Sequence, residues 1–484
     1  MTTTSRPLTR GAWAKAIAQP ATEFSPTPLP ILSGKIPEGL RGSLYRNGPA
    51  RLERGGVRVG HWFDGDGAIL AVHFTPPYQG GERGGATGLY RYVKTAGYQE
   101  EAAAGKFLYS NYGMTAPGLI WERWGKPVKN AANTSVLALP DKLLALWEGG
   151  NPHALDLQTL ETRGVDDLSQ LAEGATFSAH PKRDPKTGEI FNFGIVPGLN
   201  ATLKVYKSDR TGKIIQQGSV QLDGIPLVHD FVLAGQYLIF FVPPVRVNLL
   251  PTALGLSSYS DAIQWQPKLG TQLLIFDRET LSLVKRGEIE PWYQWHFANG
   301  YVDATGAIVV DFVRYQDFLT NQRLKEVASG KTHTAAEGTL WRVHLDAKTG
   351  KVTATQELLD RFCEFPVVQP SQVGQASRYT YLSLQREGVD ISQEIYGAIA
   401  RFDHQTDTLT EADLGENRYP SEPIYAKDAL NPEQGWVLTV VYDGNSDTSE
   451  VWVFDSDALD EEPVCRLGLP SVIPLGFHGQ WNPA

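Results

Sequence analysis

Four histidines and two glutamates recur at a similar distance behind a repeated turn motif. In each repeat an apolar, strand-like stretch ends in an aspartate, and the six aspartates are Asp156, Asp209, Asp277, Asp346, Asp403 and Asp455. Between 18 and 24 residues later come, in the same order, His180, His229, His296, Glu364, Glu422 and His478. Imidazoles and carboxylates are common ligands of divalent transition metals, so the pattern predicts a metal site if the fold brings these positions together. A coincidence among the ten histidines of the chain is the alternative interpretation.

The length of the repeat indicates how these positions could meet. Successive aspartates lie 52 to 69 residues apart, which is long enough for a four-stranded blade with insertions. The innermost strand of each propeller blade runs along a central channel, so equivalent positions of different blades converge on one axis. Glu148, at the end of an apolar strand, would supply a seventh central position. We therefore predict an all-β fold, a seven-bladed β-propeller with a helical and loop cap over one end.

The irregular segments predict the cap and the domain organisation. Insertions at residues 245–268 and 315–338 are long enough to cover one end of a propeller. Residues 1–30 read as a polar, proline-rich leader. No Pro/Ser-rich linker or charge block divides residues 31–484, so we expect one β-propeller catalytic domain with cap insertions.

Composition narrows the partners and the compartment. The net charge is −10 and the sequence has no Lys/Arg cluster, so nucleic acid is not an expected partner. Cys363 and Cys465 are the only cysteines, which argues against a disulfide framework and suits a reducing cytoplasm. The most apolar segment, residues 237–251, contains Pro243, Pro244 and Arg246 and is too short to cross a bilayer. We expect a cytoplasmic protein without a membrane span or secretory signal.

A ring of four neutral imidazoles suits Fe, Cu, Ni or Zn. Such a ring leaves the +2 charge of the metal uncompensated by its direct ligands, so carboxylates are expected behind the imidazoles. An imidazole that binds metal through one nitrogen donates its other N–H, and a carboxylate that accepts this bond fixes the tautomer and the ring orientation. Glu148, Glu364 and Glu422 are the candidates for this role. A structural ion pair is the alternative for each of them.

Short motifs along the chain resemble those of carotenoid cleavage oxygenases. They extend from about residue 30 to the C-terminus and comprise Gly42–Pro49, Phe63–Gly67, Trp147–Gly150, Ser178–Pro181, Val228–Phe231, His296–Asn299, Cys363–Pro366 and Phe477–Gly479. Within that family they look most similar to the cyanobacterial apocarotenoid 15,15′-oxygenase branch. The resemblance implies a seven-bladed propeller whose axis holds Fe(II) through four histidines, three of them bonded to glutamates. The residues that match these roles are His180, His229, His296 and His478, with Glu148, Glu364 and Glu422.

The resemblance also implies a reaction. Fe(II) activates O₂ while a polyene lies nearby, and one conjugated C=C bond is split into two carbonyl products. The methyl group of Thr134 matches a family threonine that crowds one open iron position and biases where O₂ binds. The leading prediction is a dioxygenase that cleaves apocarotenoids at the 15,15′ bond to retinal-type aldehydes. The alternatives are the same chemistry on a stilbene or full-length carotenoid, or a carotenoid-binding propeller without turnover.

A hydrocarbon substrate predicts an aromatic tunnel and an apolar tunnel mouth. The candidates for binding the polyene are the aromatic residues next to the motifs, Phe63, Trp147, Trp295, Phe297 and Phe477. Ordinary core packing is the alternative for each. Because carotenoids partition into bilayers, we also expect peripheral membrane contact through two insertions, by Ile120, Trp121, Trp124, Leu249, Leu250, Leu254 and Leu256. The alternative is that these residues pack the cap.

Overall fold

Seven antiparallel β-sheets surround a central channel in the computed structural model, which describes residues 11–75 and 84–484. The predicted seven-bladed β-propeller is confirmed. The middle strands are continuous apolar runs, such as Tyr237–Val242, because the faces of neighbouring blades cover them on both sides. The outermost strands alternate, as in Ile214–Gln221, because one of their faces meets solvent.

Blades 1 to 4 follow one another along the chain, and their strands run in order from the channel outward. Blade 1 contains Ser135–Ala138, Leu143–Leu146, His153–Leu155 and Thr162–Val165. Blade 2 contains Lys182–Arg183, Ile190–Val196, Thr202–Ser208 and Ile214–Gln221. Blade 3 contains Val232–Ala234, Tyr237–Val242, Thr271–Asp277 and Leu283–Ile289. Blade 4 contains Phe297–Val302, Ile308–Arg314, Thr339–Asp346 and Lys351–Leu359.

The last three blades include both ends of the described chain. Blade 5 contains Cys363–Val367, Tyr379–Leu384, Ala398–Asp403 and Thr408–Asp413. Blade 6 contains Arg418–Pro420 and Ile424–Lys427, which both pair with Gly435–Asp443, then Thr448–Asp455, Cys465–Gly468 and Ile31–Gly34. Blade 7 contains Gly479–Pro483, Gly42–Arg51, Asp66–Thr75, Gly85–Tyr92 and Phe24–Pro28. The ring is therefore closed twice, by a C-terminal inner strand in blade 7 and by an N-terminal outer strand in blade 6.

The predicted aspartate turns occupy one place in blades 1 to 6, the tip between the third and fourth strands. The carboxylate accepts backbone N–H groups two or three residues later, as Asp277 does from Glu279 and Thr280 at 3.1 and 2.8 Å. An aspartate in this position closes the turn by imitating a backbone acceptor. The interpretation of these residues as hairpin tips is confirmed.

Short helices and two small hairpins connect the strands. The α-helices are Ala96–Ala104, Leu249–Ala253 and Leu319–Val327. The 3₁₀ helices are Ala12–Ile17, Trp62–Asp64, Ile120–Glu122, Ser260–Ala262, Pro267–Leu269 and Pro370–Gln372. The hairpins pair Glu53–Arg54 with Val57–Arg58, and Val245–Val247 with Ile263–Trp265. Both insertions that were predicted to supply the cap contain helices.

The N-terminal segment packs against the propeller. Trp13, Ala16 and Ile17 are buried, and Phe24–Pro28 is a strand of blade 7. Residues 1–10 of the predicted leader lie outside the described residues. The division into a leader and one catalytic domain stays a prediction.

Trp481 in the C-terminal strand allows a test of ring closure. Its ring is buried 5.8 Å from the ring of Phe74, between centroids, and its Nε1 has no hydrogen-bond partner among the described residues. Trp481→Ala should lower the free energy of unfolding by about 3–5 kcal/mol because it leaves a cavity in the core. Trp481→Phe keeps most of the apolar contact and loses no hydrogen bond, so it should cost clearly less. Urea denaturation of both variants measures the difference, and equal losses would contradict this account.

Candidate metal centre and substrate cavity

Four buried histidines converge on the channel. Each lies one to three residues before an innermost strand: His180 in blade 2, His229 in blade 3, His296 in blade 4 and His478 in blade 7. One ring nitrogen from each lies within 4.8 Å of those of the other three. The Nε2 atoms of His180 and His229 are 2.9 Å apart. The structure thus brings together the four predicted ligands from blades that are far apart in the chain.

Three of these imidazoles are bonded to carboxylates through the nitrogen on the far side of the ring. The Nδ1 atoms of His229, His296 and His478 lie 2.7, 2.5 and 2.8 Å from Glu148, Glu364 and Glu422, respectively. A carboxylate on Nδ1 fixes the tautomer and leaves Nε2 free to act as a ligand. His180 is held differently, since its backbone N–H donates to Ser178 Oγ at 3.0 Å. All three predicted glutamates therefore contact a histidine of the cluster.

Blade 1 departs from the expected repeat. The sequence pattern places Glu148 at the central position, but Glu148 follows the second strand, Leu143–Leu146. The residue that precedes the innermost strand is Thr134, whose N–H donates to Leu146 O at 3.1 Å. Glu148 nevertheless reaches Nδ1 of His229 at 2.7 Å, and its side chain is a quarter exposed, at 25%.

Burial and neighbouring charges set the protonation of the cluster. Burial and the adjacent imidazoles hold the pKa of His180 well below its usual value. Burial also lowers the pKa of His478, although the Glu422 carboxylate opposes this shift. For His296, burial lowers the pKa, but the charges of Glu364 and other carboxylates outweigh it, and the net shift is upward. Neutral imidazoles are the form that binds metal, so the low pKa values of His180 and His478 favour metal ligation.

A transition metal ion fits this donor set. Two nitrogens at right angles around one ion, each about 2.1 Å away, lie about 3.0 Å apart, which agrees with the spacing of His180 and His229. The Nε2 atom of His296 is buried and has no hydrogen-bond partner among the described residues. Such an orphaned acceptor is costly unless a ligand such as a metal satisfies it. Four nitrogen donors without a direct carboxylate suit Fe, Cu, Ni or Zn.

A largely aromatic cavity lies beside the cluster. Its wall includes His229, His296 and His478, together with four of the five predicted aromatic residues, Phe63, Trp147, Trp295 and Phe477. Cap residues such as Arg323 and Leu324 contribute to the wall, in agreement with the predicted cover. Thr134 and Asn133 also line it.

Phe297 is placed differently from its prediction as a substrate-binding residue. Its ring is buried in the core with Phe241 and Phe312 and is not part of the cavity wall. Successive side chains of a strand point to opposite faces, so the residue after His296 points away from the channel. Core packing, the alternative interpretation, applies here.

Sequence reasoning missed several residues of the cavity. Tyr315 donates its hydroxyl proton to Glu364 at 3.1 Å, and Tyr396 and Tyr112 also line the wall. The ring of Phe365 stacks on His296, 5.4 Å between centroids, with a φ of 54° that is unusual for a bulky residue. Phe365 was detectable, since it follows Glu364 in a recognised motif. The tyrosines lie in cap loops or connections that follow no repeat phase.

The insertions that were expected to contact a membrane carry an apolar surface patch. Its exposed members are Trp121, Trp124, Leu250, Leu254 and Leu256, at 60, 58, 68, 44 and 64%. Trp124 Nε1 donates to Leu254 O at 3.1 Å, so the two insertions touch. Ile120 is half-buried, and the side chain of Leu249 lies outside the described part of the structure. Among the described helices, none combines the length and apolar character needed to span a bilayer.

Comparisons with known proteins agree with the fold and the site. The family model described as retinal pigment epithelial membrane protein matches residues 17–483. Apocarotenoid-15,15′-oxygenase from Synechocystis sp. is 32% identical over 461 residues, which cover 93% of this chain and 92% of that protein. The chain belongs to the carotenoid cleavage oxygenase family. The family prediction is confirmed, and the chain is an enzyme of this kind.

Other members of the carotenoid cleavage oxygenase family show the range of the similarity. Resveratrol cleavage oxygenase 1 from Aspergillus fumigatus is 26% identical over 483 residues, which cover 93% of this chain and 91% of that protein. The crystal structure of cobalt-substituted Synechocystis ACO is 31% identical to this chain and has a TM-score of 0.89. The match covers 99% of this chain and 100% of the chain in that structure. The propeller is thus shared along its full length with a solved member of the family.

Asp64, which caps the turn that carries Phe63, predicts a pH-dependent stability. Its carboxylate accepts the N–H groups of His61 and Gly113 at 2.9 and 2.7 Å, and burial nevertheless raises its pKa to about 7. A raised pKa in the folded state means that the stabilisation is complete below pH ~4 and is lost as the pH rises through 7. We expect the free energy of unfolding to fall by roughly 4 kcal/mol from this group between these limits.

The matched variant for this prediction is Asp64→Asn, which cannot ionise. Its unfolding free energy, measured by urea denaturation at pH 5 and pH 8, should change clearly less with pH than that of the wild type. An unchanged pH dependence in Asp64→Asn would show that other groups cause it.

Proposed function

We propose that this protein is a non-haem Fe(II) dioxygenase that cleaves the 15,15′ C=C bond of apocarotenoids with O₂ to give retinal-type aldehydes. The observation that carries the proposal is the cluster of four histidines, three with a carboxylate on Nδ1, beside a cavity with aromatic walls. Membership of the carotenoid cleavage oxygenase family supports the reaction class. The name of the Synechocystis relative supports the apocarotenoid substrate and the 15,15′ bond.

The four histidines would hold the iron, and Glu148, Glu364 and Glu422 would orient three of them. When bound, Fe(II) would supply the redox chemistry toward O₂ that a zinc ion lacks. The existence of a cobalt-substituted form of the Synechocystis relative supports a divalent transition metal. In the overall reaction one C=C bond breaks and each carbon gains one oxygen atom of O₂, so no further oxidant or reductant is consumed.

The contribution of the cavity is to hold one C=C bond of a polyene beside the histidines. Phe63, Trp147, Trp295 and Phe477 offer aromatic faces that would contact the polyene, exclude water and stabilise positive charge on it. Because a hydrocarbon has few polar groups, the length and shape of the cavity would select the bond. Thr134 lines the cavity and donates its hydroxyl to Asn133 Oδ1 at 3.1 Å, which would leave its methyl group available for the proposed role beside the metal.

Stilbene cleavage by the same chemistry is the second candidate function. The hydroxyl-bearing residues Tyr112, Tyr315 and Tyr396 line the cavity and could contact a phenol. The resveratrol-cleaving relative supports this candidate. Full-length carotenoids would need a longer apolar path on both sides of the histidines.

The deciding experiment is aerobic incubation of the Fe(II)-loaded protein with apocarotenals of graded length, a full-length carotenoid and resveratrol. Loss of the long-wavelength absorbance of an apocarotenal with formation of retinal is the expected result. Aldehyde products from resveratrol alone would favour the second candidate. A red-shifted, persistent carotenoid spectrum without products would mean that the protein binds but does not cleave.

Replacement of the proposed ligands should separate metal binding from folding. His229→Ala should abolish iron binding and activity, because three imidazoles cannot complete the site. Glu364→Gln should retain some metal, with affinity or activity weakened roughly 10- to 100-fold. His333→Ala is the control, since its side chain is 62% exposed and lies outside the cluster. Iron content by atomic emission and turnover by product chromatography measure the outcome; full iron in His229→Ala would refute the ligand assignment.

We also propose that the protein is cytoplasmic and contacts a membrane surface through the apolar patch to collect its substrate. Exposed tryptophan and leucine side chains of this kind favour the interfacial region of a bilayer. The double variant Trp121→Glu/Leu250→Glu should reduce sedimentation with phosphatidylcholine vesicles several-fold, because each change places a charge where apolar atoms would insert. Val196→Glu/Leu199→Glu in blade 2 is the matched control, because it adds the same charge at other exposed apolar positions, at 40 and 98%. Equal losses in both double variants would argue against a specific membrane face.

A further inference from the structure

The three carboxylates of the metal centre are held by different groups. Glu422 accepts the N–H of Gly479 at 2.8 Å, and Glu148 is partly solvated. Glu364 is buried, and its Oε1 accepts the hydroxyl proton of Tyr315 at 3.1 Å. Its Oε2 accepts the N–H of Phe365 and the Nδ1 proton of His296, both at 2.5 Å. Tyr315 thus supplies the side-chain donor to the second oxygen of this carboxylate.

Backbone hydrogen bonds fix the position of Tyr315. Its backbone exchanges two hydrogen bonds with Tyr293, at 2.8 and 3.0 Å, so the start of the cap loop is tied to the connection that leads into His296. The hydroxyl of Tyr396 lies close to that of Tyr315. A phenol has one proton, and Tyr315 gives it to Glu364.

The result is a short chain of hydrogen bonds, Tyr315–Glu364–His296, in which the carboxylate accepts a proton from each neighbour. Bonds in such a chain polarise one another, and a buried carboxylate oxygen that loses its donor is left unsatisfied. Without the Tyr315 hydroxyl, Glu364 would be held through Oε2 alone, and the orientation of His296 Nε2 would be less firmly fixed. The chain ends at the cavity wall, since Tyr315 lines it.

We propose that Tyr315 is a positioning residue that fixes Glu364 and through it orients His296 toward the metal. This inference rests on the proposed metal centre and adds one residue of the cap to it. The rival role for Tyr315 is contact with substrate, which would change KM and leave metal affinity unaltered.

The test measures the affinity of the metal-free, full-length protein for Co(II) by its visible absorption, without substrate. Tyr315→Phe should weaken Co(II) binding roughly 5- to 30-fold and change the absorption spectrum, because one ligand is less well oriented. Tyr293→Phe is the matched control: its hydroxyl is buried without a partner among the described residues, so its removal should leave Co(II) affinity unaltered.

A double-mutant cycle separates positioning from a general structural effect. If Tyr315 acts through Glu364, then Tyr315→Phe should have no further effect on Co(II) affinity in the Glu364→Gln background. Wild-type affinity in Tyr315→Phe would overturn the inference. If Tyr315→Phe fails to fold, wild-type affinity and spectrum in Glu364→Gln would overturn it instead.

The same titration distinguishes this inference from the proposed function. If the wild-type protein binds Co(II) but cleaves no polyene or stilbene, the proposed reaction is refuted and the role of Tyr315 is unaffected. If it binds neither Co(II) nor Fe(II), both proposals are refuted.

Discussion

Hydrogen bonds between imidazole Nδ1 atoms and carboxylates are the interaction on which the centre of this molecule depends. Each one joins two blades: Glu148 of blade 1 to His229 of blade 3, Glu364 of blade 5 to His296 of blade 4, and Glu422 of blade 6 to His478 of blade 7. The orientation of an imidazole is therefore set by a different blade from the one that carries it. A site built in this way requires that the ring be closed and the blades be in register.

Arg46 contributes both to closure of the propeller ring and to the electrostatics of Glu422. Its buried guanidinium donates to the backbone oxygens of Glu422 and Phe477, both at 2.9 Å, and so holds blade 6 against the C-terminal segment that carries His478. Burial raises the pKa of Glu422, but its interactions with His478 and Arg46 outweigh this effect and the net shift is downward. A buried ionised carboxylate without such partners would be unstable, and an un-ionised one would be a poorer acceptor for His478.

The repeat of the sequence predicted the fold and the histidines because both depend on local turn chemistry. From the aspartate at the tip of a blade, one outer strand and one connection return the chain to the axis, so a nearly constant count reaches the next central position. Blade 1 does not follow this spacing because a long connection, residues 93–134, precedes its inner strand. That is why Thr134 was recognised only through the family and Glu148 was assigned to the wrong phase.

Other parts of the site depend on tertiary packing that no spacing records. The orientation of Phe297 follows from the alternation of a strand whose starting residue is not visible in the sequence. Tyr315 reaches Glu364 because its loop pairs with Tyr293, a contact set by the cap rather than by the repeat. Residues contributed by insertions vary in number and length between blades, so only coordinates relate them to the axis.

The asymmetry of the four histidines agrees with the side from which a ligand can approach. His229, His296 and His478 contribute to the cavity wall, whereas His180, which is bonded through its backbone to Ser178, does not. The imidazoles on the open side are those whose second nitrogen is bonded to a carboxylate. Where small ligands exchange, the Nδ1 bond keeps Nε2 of each of these rings in place. His180, which does not line the cavity, is held through its backbone instead.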